Sequence, residues 1–361
     1  DQVLEALRQV IDPDLNQDIV TLGFITRNVV EKGRASVTIQ LTTPACPMKK
    51  VMQEQAEAAI RSVPGITEVD IEMTAEVKGG QTKVSDDLGI KHFIAVSSGK
   101  GGVGKSTSTV NLACALAQTG AKVGILDCDV YGPDIPMMMG LSGRPNASAT
   151  KLVPHEAYGV KTMSIGFLLE EDMPVMWRGP MVHKLIEQFL KDVEWGELDY
   201  LLVDMPPGTG DAQISLSQIV PLSGAVLVTT PQAVSTADVN KAILMFNEVK
   251  VEVLGVIENM SGLPITAKIE GAVPGGKVTL DVGDYTEDLT IDKDGCVQTV
   301  LDLFGAGGAE FLAKKFGFPV LGRIPIDPTV HVGGDGGKPV VVGDPDSLIA
   351  QRFREVAGTL A

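Results

Sequence analysis

Apolar residues recur at helical spacing in "VLEALRQVI" (Val3, Leu4, Leu7, Val10, Ile11), which predicts a first helix ending at Asp12-Pro13. Alternating runs follow in "GFITRNVV" and "RASVTIQL", two strands around a turn at Glu31-Lys32-Gly33. A second helix is expected after Pro47 as far as Val63, and "ITEVDIEM" alternates as a last strand. Residues 1–78 therefore read as a small α+β domain. The polar, glycine-containing stretch from Glu76 to Asp87 marks the joint, and 79–90 is taken as linker.

Beyond residue 91 the pattern changes. "HFIAVSS", "KVGILDCD", "LDYLLVDMPPG", "GAVLVTT" and "VEVLGVIENM" are short, nearly continuous apolar runs separated by helical stretches. Such runs belong to strands buried on both faces, so 91–361 is predicted to be an α/β domain, a mostly parallel sheet covered by helices. Residues from about 262 to 303 break the order. Alternation at Val278, Leu280 and Val282 among Gly and Asp turns predicts a β-rich, hairpin-like insertion.

Composition narrows the class. At 361 residues with 44% hydrophobic content, the chain can bury a large core. A net charge of −16 argues against coating nucleic acid or lying on anionic lipid. No apolar run reaches the roughly 18 residues of a membrane span. The chain opens on Asp1 with no visible signal peptide, which suits a processed or trimmed N-terminus. The cysteines, Cys46, Cys114, Cys128 and Cys296, are too scattered for a disulfide framework and suggest a reducing compartment.

The densest chemistry is in "SSGKGGVGKST", Ser97 to Thr107. It follows a predicted strand, opens a predicted helix, and fits G-x-x-x-x-G-K-[ST] at Gly99, Gly104, Lys105 and Ser106. Glycine lets the backbone of Gly99, Gly101, Gly102, Val103, Gly104 and the following Thr107 turn its N–H groups toward phosphate oxygens. The helix adds its positive end. Lys105 is placed to reach β and γ phosphates of ATP, and Ser106 to ligate Mg²⁺ together with Asp204 of "DMPPGTGD". The same letters also read G-x-G-x-x-G with Asp127 closing the next strand, the layout of a dinucleotide site. Lys105-Ser106 would have no task there, and Asp204 supplies a second acid suited to a metal shell, so the triphosphate reading is preferred. Asp127 and Asp129, two apart and expected on one face of a strand end, are candidates to orient the attacking water or take its proton. The loop carrying Pro206, Pro207, Gly208 and Gly210 is placed to sense the γ phosphate.

"KGGVGKST", with its extra Lys100, resembles the deviant Walker A loop of the MinD/ParA/nitrogenase-iron-protein class of ATPases. That resemblance implies a homodimer in which Lys100 reaches the partner's nucleotide. "DCDVYGPDIP", "MWRGPM", "WGELDYLLVDMPPGTGD", "TTPQ", "ENMS", "FGAGGAE" and "RIPIDP" look like the Mrp/ApbC family of iron–sulfur cluster carriers. "IDPDLNQDIVTLGF" and "LTTPACP" resemble the small assembly domain fused ahead of such ATPases in bacteria and in a plastid carrier of the high-chlorophyll-fluorescence type. The family implies a P-loop NTPase that hydrolyses ATP slowly and delivers a labile cluster to apoprotein clients, in bacterial cytoplasm or plastid stroma. It also implies that Asn259 and the loop from Pro325 to Asp327 flank the adenine, and that Asp129 rather than Asp127 matches the hydrolytic aspartate.

One departure matters. Many carriers place C-x-x-C soon after "NMS", where two subunits share one [4Fe–4S] cluster, whereas this chain reads "ENMSGLPITAKIEG" and holds no C-x-x-C. Cys46, just before a helix start and near Lys49 and Lys50, sits where a thiol pKa falls and ligation is favoured. Cys296 is a candidate replacement ligand or merely a turn-end cysteine. Cys114 and Cys128 read as core packing. The four histidines show no metal-ligand spacing, and Arg178 is assigned no role. Two alternatives stay open: an ATP-gated client adaptor without its own cluster, and a MinD/ParA-like positioning ATPase. The second needs a basic face or terminal anchor, while the final segment (Leu348, Ile349, Phe353, Val356, Leu360) reads more simply as a helix packed on the sheet.

Overall fold

The computed structural model describes residues 2–12, 17–31, 33–41, 49–75, 88–148, 150–168, 179–271, 273–283 and 285–361. Cys46, Arg178 and residues 79–87 of the expected linker lie outside these residues, whereas Ile90 already opens a strand.

In the N-terminal part, helix α1 (Gln2–Leu7) leads to the two-residue strands β1 (Ile11–Asp12) and β2 (Gln17–Asp18). The first helix is shorter than its periodicity predicts. Val10 and Ile11 leave the helical pattern because Val10 accepts from Ile19 and Ile11 pairs with Asp18. Strands β3 (Ile25–Glu31) and β4 (Arg34–Leu41) are antiparallel, and β5 (Glu68–Ala75) joins β4 in parallel after helix α2 (Lys49–Arg61). The strict alternation of β4 buries Ala35, Val37, Ile39 and Leu41 against Val3 and Leu7 of α1 and Met52, Ala56 and Ile60 of α2.

The larger part is built on β6 (Ile90–Ser98), β7 (Val123–Asp127), β8 (His155–Ala157), β9 (Val160–Ser164), β10 (Leu198–Asp204), β11 (Gly224–Thr229), β12 (Val253–Asn259) and β17 (Val320–Ile324). They form an eight-stranded sheet in the order β17-β12-β11-β6-β10-β7-β9-β8, parallel throughout except for the edge strand β8. Side chains alternate between two apolar layers. Phe93, Ala95, Leu201, Val203, Ala225 and Leu227 face α5 (Gly179–Asp192), α6 (Asp211–Ile219), α7 (Ala233–Glu248) and α8 (Gly308–Phe316). Ile94, Tyr200, Leu202 and Val226 face α3 (Lys105–Gln118) and α11 (Leu348–Leu360). Short helices α4 (Ile135–Met138), α9 (Pro328–Asp335) and α10 (Val340–Gly343) close the second layer. Burial on both faces explains why these strands read as unbroken apolar runs. The terminal helix buries Ile349, Phe353 and Val356 against α3 and β17, as its pattern predicts, but Leu348 points outward.

The insertion is two nested antiparallel pairs. β13 (Leu263–Lys268) pairs with β16 (Cys296–Leu301), and β14 (Lys277–Val282) with β15 (Tyr285–Thr290). A small core of Leu289, Ile291 and Val297 holds them together.

Candidate functional site

The central strand β6 ends at buried Ser97 and Ser98 and passes into the glycine loop at a point where neighbouring strands lead away on both sides, the usual place for a ligand in a parallel sheet. Two glycines there have a physical reason. A Cβ at Gly99 would lie 2.2 Å from the backbone carbon of Asp238 in the second turn of α7. Gly104 has φ +84°, and a Cβ there would lie 2.1 Å from Asn259 Nδ2. That amide donates to the Val103 carbonyl at 2.8 Å and so ties the loop to the end of β12. Gly101 and Gly102 face open space, Val103 is buried against Val96 and Val228, and Thr107 lies in the first turn of α3, where its carbonyl accepts from Asn111.

Helix α3 opens with Lys105 and Ser106, facing the strand ends. Sheet register places Asp204 beside Asp127 at the tips of β10 and β7. Asp204 is fully buried and accepts from Lys105 Nζ at 2.6 Å, Ser106 Oγ at 2.8 Å and Thr109 Oγ1 at 2.7 Å. Lys105 Nζ also lies 3.4 Å from Asp129 Oδ2. Burial opposes the Lys105 charge, but Asp204, then Asp129 and Asp127, outweigh it and hold its pKa above the usual lysine value.

Asp127 and Asp129 do not share a strand face, contrary to the expectation from their spacing. The strand ends with the pair Asp127↔Ser164, and Asp129 belongs to the loop beyond. Asp127 is fully buried; its carboxylate accepts from Ser164 Oγ at 2.7 Å and from the Asp129 amide at 3.1 Å. Burial and the charge of Asp204 push its carboxyl well above the usual range, with Ser164, Lys105 and the Asp129 amide opposing. Asp129 accepts from the amides of Tyr131 and Gly132 while facing Lys105.

The remaining candidates divide. Lys100 is half-buried and donates to Gln232 Oε1 of its own chain at 3.3 Å. The loop after β17 lies beside Asn259, because Ser261 N donates to Ile324 O and Ile326 N to Gly262 O; it carries Pro325, and Asp327 caps α9 through Thr329. Cys114 and Cys128 are buried; burial lifts Cys114 to about 12, while burial and then Asp127 lift Cys128 well above the thiol range. Cys296 starts β16 on the insertion, half-buried, opposite Lys268. Among the described residues no three His, Cys, Asp or Glu side chains are grouped to hold a metal ion. The sequence reading missed Thr109 and Ser164. Thr109 was legible as the residue one helical turn after Lys105; Ser164 was not, because β9 carries no periodic signature that separates it from a loop.

Residues 89–271 and 286–361 match the family described as NUBPL iron-transfer P-loop NTPase, and residues 1–72 match the one described as iron-sulfur cluster assembly protein. An iron-sulfur cluster carrier protein of Synechocystis is 43% identical over 369 residues, covering 100% of this chain and 96% of its own. The chloroplastic Fe-S cluster assembly factor HCF101 of Arabidopsis thaliana is 41% identical over 98% of this chain, which spans 62% of that protein. A nucleotide-binding protein of Archaeoglobus fulgidus, solved in complex with ADP, is 38% identical with a TM-score of 0.56, covering 75% of this chain and 95% of its own. The cell division ATPase MinD of Pyrococcus furiosus shares the fold at a TM-score of 0.51 and 22% identity, over 74% of this chain and 98% of its own. Among the described residues no helix is long and apolar enough to cross a membrane.

Proposed function

The chain belongs to the NUBPL iron-transfer P-loop NTPase family, and from that premise we propose that it binds and slowly hydrolyses ATP while carrying or assembling an iron–sulfur cluster for apoprotein clients. The observation that carries the ATPase reading is the convergence of Lys105, Ser106 and Thr109, at the helix start that follows the glycine loop, on one buried carboxylate, Asp204. The residues from Gly99 to Thr107 would cradle the phosphates, with Asn259 and the loop from Pro325 to Asp327 beside the base. A hydroxyl and a carboxylate are hard oxygen donors, so Ser106 and Asp204 fit Mg²⁺ and would hold it; bound there, it neutralises charge developing on the transferred phosphate. Lys105 adds a fixed positive charge. Asp129, anchored by two backbone amides, orients the attacking water; Asp127, closed to solvent, acts by holding the Asp129 backbone.

Lys100 is assigned to the nucleotide of a second copy in a homodimer, releasing Gln232 to do so. The cluster, [4Fe–4S] in this reading, is cargo, with Cys46 as first candidate ligand and Cys296 as second. The compartment is cytoplasm or plastid stroma, without nucleic acid or membrane as partners. Anaerobic reconstitution with iron and sulfide tests the carrier: broad absorbance that fades in Cys46→Ser is expected, and a colourless protein at every stoichiometry refutes it. The lack of C-x-x-C favours one second reading, an ATP-gated adaptor that holds clients through the small domain. The adaptor gives negligible turnover even with clients, whereas the carrier turns over slowly and faster with them.

A further inference from the structure

Two successive prolines, Pro206 and Pro207, follow Asp204 by two residues and have no N–H to offer the neighbouring strand. The Pro206 carbonyl must find its donor elsewhere. It finds Gln213, in the first turn of α6, whose Nε2 donates to Pro206 O at 2.5 Å and to Ser97 Oγ at 2.9 Å. Gln213 is 1% exposed, so this one amide spans, within the protein interior, the end of the strand leading into the glycine loop and the start of the Pro-Gly loop. Backbone bonds run alongside, from Met205 N to Val96 O and from Gly208 N to Ser98 O, both at 3.0 Å. Gln213 differs from them in belonging to α6, so it ties three elements rather than two. Its Oε1 is buried and has no hydrogen-bond partner.

We infer that Gln213 is a positioning residue for hydrolysis: it latches the loop from Pro206 to Gly210 to the strand carrying the phosphate-binding loop, and releases α6 when that loop moves. It acts through the Pro206 carbonyl and does not touch nucleotide. This rests on the ATPase reading above and deepens it.

The test compares wild type, Gln213→Ala, Ser97→Ala and the double variant by Mg-ATP calorimetry, steady-state turnover, and amide exchange at Met205, Gly208, Thr209 and Gly210. Gln213→Ala is expected to lower kcat at least tenfold with KM within threefold, and to speed exchange at those amides at least tenfold without nucleotide. Ser97→Ala, which removes one of the two bonds, should lower kcat about threefold, and the double variant should be no worse than Gln213→Ala. Should Gln213→Ala fail to fold, Ser97→Ala carries the same comparison. The latch is overturned if kcat and KM move by the same factor, if exchange is unchanged, or if the double variant loses the product of the single effects. A wild type that binds no Mg-ATP overturns the ATPase reading as well; a wild type that turns over beside unaffected variants overturns the latch alone.

Discussion

Neutralising Lys105 should destabilise the larger domain before it is asked to bind anything. Its ammonium is 6% exposed and sits 2.6 Å from Asp204 and 3.4 Å from Asp129, with Asp127 beside Asp204 in register. Lys105→Met keeps the stem but leaves these buried acids without their cation, which costs about 3–5 kcal/mol. Asp204→Asn removes the charged acceptor while Lys105 keeps Asp129, at about 2–3 kcal/mol. In the double variant only Asp129 is left without its cation and Asp204 no longer carries a charge to orphan, so the cost should fall within roughly 1 kcal/mol of Lys105→Met alone, a coupling energy of about 2 kcal/mol. Urea unfolding followed by Trp195 reads this domain, because that indole is 2% exposed and donates to Phe189 O at 2.9 Å. A Trp177→Phe background removes the second indole. Costs that add within about 0.5 kcal/mol would show that Lys105 and Asp204 are not the coupled buried pair described here.

Three further outcomes are expected. Gly104→Ala must hold a side chain at φ +84° and displace the Asn259 amide from the Val103 carbonyl, so it should cost about 2–3 kcal/mol and weaken Mg-ATP binding more than tenfold by calorimetry; wild-type affinity would contradict it. Asp127 is held above the usual carboxyl range, so the folded protein keeps a proton that the unfolded chain has released. Stability from this group therefore falls as pH rises from about 4 through its folded value, by up to about 1.4 kcal/mol per unit, and Asp127→Asn should flatten that slope in urea midpoints measured across pH. Lys100→Ala loses one hydrogen bond to Gln232 and should change stability by less than about 1 kcal/mol, yet abolish most turnover while Mg-ATP affinity stays within threefold; full turnover in single-chain form would refute the cross-dimer assignment.

What could be read in advance follows from where sequence and physics coincide. The strands β6, β7, β10, β11 and β12 are buried on both faces, so each is an unbroken apolar run that no solvent-facing alternation blurs. The glycine loop was legible because its conformation excludes other residues: Gly99 has α7 backbone against it and Gly104 has Asn259. Strand β8 and its partner β9 were not legible, since "HEAYGVKTMS" mixes charge with apolar residues, and β9 owes its place to pairing with β7 rather than to local pattern. The same cause misplaced Asp129. Spacing of two means one face only while a strand continues, and the strand stops at Asp127, whose register partners are Asp204 and Ser164. The site is therefore legible as a set of residue types and misread as a geometry: the acids were found, but Asp127 is sealed against a neighbour 37 residues away in sequence while Asp129, in the loop beyond the strand, faces Lys105. A serine that no motif contains thus packs against Asp127, which in turn accepts from the Asp129 amide, while the Asp129 carboxylate faces Lys105.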